Sequence, residues 1–139
     1  MTPHSEAPAC RLSIPVPPSV NHAFRNVSQR EREAARRAGR TLRGRARTAG
    51  YQKWATDAGW EVRRQIMAMG LQGRVAVPGE IVIEIAVARG WADIDNLLKP
   101  TLDLLVTMLV IDDDRFVRRL SIEHGQGIEQ MEISIWPMA

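Results

Sequence analysis

The stretch from Glu80 to Arg89 reads Glu-Ile-Val-Ile-Glu-Ile-Ala-Val-Ala-Arg, and its alternation restricts the fold more than any other segment. In an extended chain successive side chains take opposite faces, so Ile81, Ile83, Ile85 and Val87 form one apolar face while Glu80 and Glu84 lie on the other. A strand with such a face needs sheet neighbours and a covering layer. Two segments supply the cover. From Thr48 to about Met69, Tyr51, Trp54, Ala55, Ala58, Val62, Ile66 and Met69 recur at three- and four-residue steps, and Gly70 closes the pattern. A second helix is expected behind Asp95 as its cap, running through Asn96 to about Leu109. Its broad apolar face comprises Leu97, Leu98, Leu102, Leu105, Val106 and Leu109, and Pro100 is tolerated near the first turn.

Three further strands complete the pattern. Arg11–Ile14 precedes the turn-rich Pro15-Val16-Pro17-Pro18-Ser19-Val20-Asn21, and segments near Phe116–Glu123 and Glu129–Trp136 are expected to form a hairpin through Gly125-Gln126-Gly127. The order β-α-β-α-β-β implies an α+β fold, a mixed sheet with helices packed on it. With 139 residues, no internal repeat and no dividing linker, one domain over 1–139 is expected, with residues 1–10 as a disordered tail. Trp54, Trp60, Trp91 and Trp136 are expected mostly in the core, with Trp91, two residues before Asp93, a candidate to lie near the substrate.

Charge is concentrated in one place. Arg25 to Arg47 carries nine arginines against Glu31 and Glu33, a net of +7; the whole chain is +3, so the remainder sums to −4. Ser28 can cap a short helix there that Gly39 ends, but its apolar face is little more than alanine, so residues 25–47 are expected to be a mobile, Arg-rich loop. Lysine occurs only at Lys53 and Lys99. Arginine's planar fork suits bidentate contact with phosphate, which makes a polyanion the natural partner. Cys10 is the single cysteine, which excludes an intramolecular disulfide and a cysteine-based zinc cluster. No apolar run is long enough for a membrane span, and the N-terminus has no secretory pattern, so no membrane partner and a cytoplasmic location are expected.

The chemistry lies in the acidic residues. Asp93 and Asp95 are two apart just after the strongest strand, so in extended backbone both carboxylates face one side. The next helix carries Lys99, and the chain then returns to Asp112-Asp113-Asp114 at the mouth of another strand. If that strand lies beside Ile81–Val87, the two acidic groups are expected to meet at one end of the sheet. Their repulsion is tolerable chiefly with a cation among them, and oxygen-only ligands select Mg²⁺, with Mn²⁺ able to substitute. The stretch lacks the glycine and glutamate of a calcium-binding helix-loop-helix, and the chain is too short to add a nucleotide-binding domain, so no nucleotide cofactor is expected.

The run Asp93-Ile94-Asp95-Asn96-Leu97-Leu98-Lys99-Pro100-Thr101-Leu102-Asp103, followed by Val110-Ile111-Asp112-Asp113-Asp114, resembles the core signature of the RusA family of Holliday-junction resolvases. Pro15-Val16-Pro17-Pro18-Ser19-Val20-Asn21 resembles that family's opening motif, although Val16 stands where an aromatic is frequent. The resemblance extends from about residue 12 to 136. It implies a homodimeric, Mg²⁺-dependent endonuclease that resolves four-way DNA junctions by paired symmetric nicks. Carried over by position, the catalytic carboxylates fall on Asp93, Asp95 and Asp114 and the essential lysine on Lys99. Asp113 matches the first member of the family's acidic pair, and the aspartate triplet also allows a register one residue earlier, through Asp112.

The chemistry is consistent with this. Hydrolysis of a phosphodiester needs an activated water and charge stabilisation, which a metal held by Asp93, Asp95, Asp113 and Asp114 supplies. Lys99 is placed to offset phosphate charge or to orient the water. The expected DNA-backbone contacts are Asn21, Arg25, Arg40, Arg43, Arg45, Arg47 and Lys53. Two alternatives stay open: a metal-dependent nuclease acting on other branched or flapped DNA, and a non-catalytic protein that binds branched DNA.

Overall fold

A computed structural model describes residues 6–18, 24–26, 29–39, 45–47, 49–71, 73–89 and 94–138. Strand β1 (Cys10–Ile14) is followed by β2 (Phe24–Asn26), helix α1 (Gln29–Arg37), β3 (Arg45–Arg47) and helix α2 (Ala49–Ala68). Then come β4 (Ile81–Ala88), a 3-10 turn (Ile94–Leu97) leading into α3 (Leu98–Thr107), a second 3-10 turn (Asp114–Phe116), β5 (Val117–Gly125) and β6 (Met131–Pro137). The β-α-β-α-β-β order holds, with α1 and the β2–β3 ribbon inserted between β1 and α2. The fold is α+β. Four strands form a mixed sheet in the order β1-β6-β4-β5, and β2 and β3 form a separate antiparallel pair.

The alternation in β4 does what it implies. Ile81, Ile83, Ile85 and Val87 are buried in one cluster with Leu12, Ile14, Ile133 and Ile135 from neighbouring strands. Tyr51, Trp54, Ala58 and Val62 of α2 and Leu97, Leu104 and Leu105 around α3 close the cluster from the helix side. Polar contacts fix α2 against the sheet edge. The Gln65 side chain accepts from the Ser13 N–H at 2.8 Å and donates to the Ser13 carbonyl at 2.7 Å, standing in for a neighbouring strand, and the Trp54 indole donates to the Pro15 carbonyl at 2.9 Å. Among the described residues no helix is long and apolar enough to cross a membrane.

Several expectations are corrected. β5 and β6 do not form a hairpin: β5 pairs parallel with β4, and β6 inserts antiparallel between β4 and β1. The short connection after Gly125 straddles the end of β4, where the Ala88 N–H donates to the Gln130 carbonyl. Two strand spacings are only about 10 Å, which a few residues can span. The N-terminal tail is shorter than expected. The Ala9 N–H donates to the Ile135 carbonyl, and the Trp136 indole donates to the Glu6 carbonyl; residues 1–5 lie outside the described residues. Within the Arg-rich segment, α1 forms where the Ser28 and Gly39 signals place it, and the β2–β3 ribbon flanks it in the chain. α3 stops at Thr107, because Leu109 takes a left-handed conformation (φ 58°) and is exposed rather than buried. Trp54 and Trp136 are buried, but Trp60 is 67% exposed on the outer face of α2. Trp91 lies outside the described residues.

Candidate active site

β4 leads in sequence to the Asp93–Asp95 segment, whose first described residues form the turn Ile94–Leu97, packed against β5. Asp95 is exposed in this turn. It does not cap α3, contrary to the expectation: the residue at the cap is Leu97, and no side chain caps it. The 3-10 turn ahead of the helix displaces the cap, so the Asp95 carboxylate is not consumed by a backbone N–H at the helix start. The junction is held from below by Thr101. Its hydroxyl is fully buried, donates to the Leu97 carbonyl at 2.8 Å and touches the Met131 sulfur at 3.5 Å, tying the start of α3 to β6. Pro100 occupies the first turn of α3, where its missing N–H costs no helical bond.

Lys99 is the second residue of α3. Its ammonium lies 3.5 Å from the Asp103 carboxylate, one turn further along. Asp103 sits beside a cavity of about 70 Å³ between α2 and α3, lined also by Tyr51, Trp54 and Leu104. Asp103 is absent from the expected site residues, although the four-residue spacing from Lys99 on a helix places the two on one face.

The three consecutive aspartates have three different jobs. Asp112 accepts the Gly79 N–H at 2.7 Å and fastens the segment before β4 to the end of the α3 connection, where Val77 bridges Ile111. Asp113, in extended backbone, caps the second 3-10 turn by accepting the Arg115 N–H at 3.1 Å. Asp114 begins that turn and is exposed. Arg118 steadies the turn from behind, donating to the Arg115 carbonyl at 2.7 Å and to Glu80 at 2.9 Å.

Electrostatics separates Asp113 from Asp114. The Arg115 N–H, and then a hydrogen bond shared with Asp114, hold the Asp113 carboxyl below the usual carboxylate range. Asp114 is pushed up, first by a side-chain hydrogen bond with Asp113, then by lost hydration and by the charges of Asp113 and Asp103; Lys99 draws it partly back. Asp114, Asp113, Asp103 and Lys99 therefore stand within electrostatic reach of one another. In the parallel β4–β5 pair Val117 stands opposite Ile81, so the aspartate triplet arrives beside the start of β4, and the turn it begins packs on α3, the helix that carries Lys99. Asp93 lies outside the described residues. Among the described residues no three His, Cys, Asp or Glu side chains form a metal-holding group.

The donor set nevertheless suits a hard cation. Asp113 and Asp114 raise the cost of each other's charge, and a divalent cation relieves such repulsion through the same oxygens.

Of the expected DNA contacts, Arg25 is on β2 and Arg45 and Arg47 are on β3. Asn21, Arg40 and Arg43 lie outside the described residues. Lys53 is exposed on α2 and pairs with Asp57 at 2.9 Å, so part of its charge is already answered within the chain. Helix α1 adds exposed Arg30, Arg32, Arg36 and Arg37, which the charge count of the segment includes without marking as individual contacts. β3 ends at Arg47 and α2 begins at Ala49, and the first turns of α2 carry the Tyr51 and Trp54 that line the Asp103 cavity. Chain connectivity thus brings the ribbon out at the helix end that packs beside Asp103.

No curated protein matches the chain. The family model for endodeoxyribonuclease RusA matches residues 15–136, a span that begins at the proline-rich motif, takes in the Asp95–Lys99 and Asp113–Asp114 segments and ends in β6, and the chain belongs to that family.

Proposed function

We propose that this nuclease-family chain is a Mg²⁺-dependent resolvase of four-way DNA junctions, acting as a homodimer that makes paired symmetric nicks. The observation that carries the reading is the packing of the Asp114 turn on the helix that bears Lys99, which groups Asp113 and Asp114 with one cation in a family of endodeoxyribonucleases. Asp93, Asp95, Asp113 and Asp114 would hold the metal, while Asp112 ties down the Gly79 N–H. When bound, a divalent cation supplies Lewis acidity and a water acidic enough to attack near neutral pH.

The chain's own residues do the rest. The Lys99 ammonium neutralises charge that develops on the phosphate oxygens during in-line attack. The 3-10 turns keep the Asp95 and Asp114 carboxylates exposed rather than spent on caps. Arg25, Arg45 and Arg47 of the ribbon, with Asn21, Arg40, Arg43 and Lys53, hold the duplex arms by their phosphates, which fixes orientation without reading sequence. A two-fold axis would set two such sites on strands of a two-fold symmetric junction, which accounts for paired incision.

The test is a substrate panel of four-way junction, flap and linear duplex, each with Mg²⁺. Nicks confined to the junction, in symmetric pairs, are expected. Cleavage of flaps at equal rate would move the substrate class to branched DNA in general, and junction binding without cleavage would leave a binding protein.

A further inference from the structure

We propose that Asp103 is a positioning residue for the cleavage reaction: its carboxylate holds the Lys99 ammonium in place at the Asp113–Asp114 pair. This rests on the nuclease reading above and deepens it. The ion pair is not one that helix stability would select. Lysine precedes the acid, the weaker orientation for residues four apart, and Lys99 stands in the first turn of α3, where the helix dipole disfavours a cation. Nor is it a strong surface bridge, since the Lys99 side chain is 63% exposed and water screens it.

The two partners are unequal. The Asp103 side chain is only 32% exposed and stands at the cavity with Tyr51 and Trp54, whose rings meet edge to face at 5.8 Å. The helix beneath is fixed by the buried Thr101 hydroxyl. Asp103 is therefore the anchored end and Lys99 the end that would swing. A lysine stem has many rotamers, and an anchor four residues away restricts them to those that bring the ammonium toward the acidic pair. The turn that Asp114 begins packs against α3, the helix carrying both groups, which places the pair at the site rather than on a remote face.

The experiment is a double-mutant cycle on full-length protein with Mg²⁺ and a four-way junction, reading the single-turnover nicking rate, the junction Kd and the Mg²⁺ half-saturation. Asp103→Asn is expected to slow nicking roughly 10- to 100-fold, the usual loss when a residue supporting a functional group is removed, with Kd and Mg²⁺ half-saturation unchanged. In a Lys99→Ala background the same change is expected to matter by less than about twofold, because the partner is already gone. Asp103→Glu should restore part of the rate. Independent effects of the two substitutions, or a shifted Mg²⁺ half-saturation, would overturn the proposal by making Asp103 act on the metal directly. An unchanged rate would overturn it as a mere surface pair. Asp103→Ser provides a second replacement should the asparagine variant melt early. Wild-type protein that nicks nothing would sink the nuclease reading itself, a result separate from any outcome of the cycle.

Discussion

At the residue scale, identical side chains are told apart by their backbone partners. The triplet Asp112-Asp113-Asp114 offers no way to choose a register in the sequence, because each aspartate has the same chemistry. The structure separates them: Gly79 takes Asp112, Arg115 takes Asp113, and Asp114 is left exposed at the turn. Asp114→Asn is therefore expected to abolish nicking with the junction Kd preserved, whereas Asp112→Asn should lower stability and leave residual nicking; gel shift, thermal melting and incision assays separate the two. Asp103 was legible in principle, four residues after Lys99, but mid-helix acids are common enough that spacing alone did not distinguish it. Cys10 gives a prediction independent of the site. Burial pushes its thiol from the ordinary 9.0 up to about 11. Its raised value means the folded and unfolded chains are both protonated below pH 9, and the unfolded chain ionises first above it. Stability relative to Cys10→Ala should hold constant up to pH 9 and fall by about 2–3 kcal/mol as pH rises to 11, by urea denaturation at each pH.

At the scale of elements, patterning identified what lies on one face and missed what lies beside it. The apolar alternation of β4 and the three- and four-residue repeat of α2 place Ile83 and Val62 in the core, where both are found. Pairing partners were less legible. A glycine-bounded turn between two strands suggests a hairpin, yet the connection from Gly125 to Met131 is long enough to step over the end of β4, and an interior strand gains by having two neighbours. Parallel pairing of β4 with β5 then brings the aspartate triplet in beside the start of β4, a consequence of strand direction that residue spacing does not contain. Leu105, fully buried in α3, should cost about 2–5 kcal/mol when replaced by alanine, read by urea denaturation. On the basic side, Arg45→Ala with Arg47→Ala should weaken junction binding and reduce the slope of log K against log salt by about one for each phosphate that is no longer neutralised, while nicking at saturating protein persists.

At the scale of the whole molecule, charge is divided between two tasks. The arginines of α1 and the ribbon suit a polyanion, and the acidic residues beside Lys99 suit a cation, with α2 linking the two through its packing on α3. The described residues hold one such site, so the proposed paired incision requires two chains. Sedimentation is expected to give twice the chain mass of 15.6 kDa, and a species that stays at one chain mass at all concentrations and on DNA would remove the dimer. The most direct test of the central claim is incision of an immobile four-way junction with Mg²⁺ or EDTA, by wild type and by Asp95→Asn. The account predicts paired symmetric nicks with wild type and Mg²⁺ only, and intact binding without nicks for Asp95→Asn. Nicking that survives EDTA, or that Asp95→Asn leaves at the wild-type rate, would contradict it.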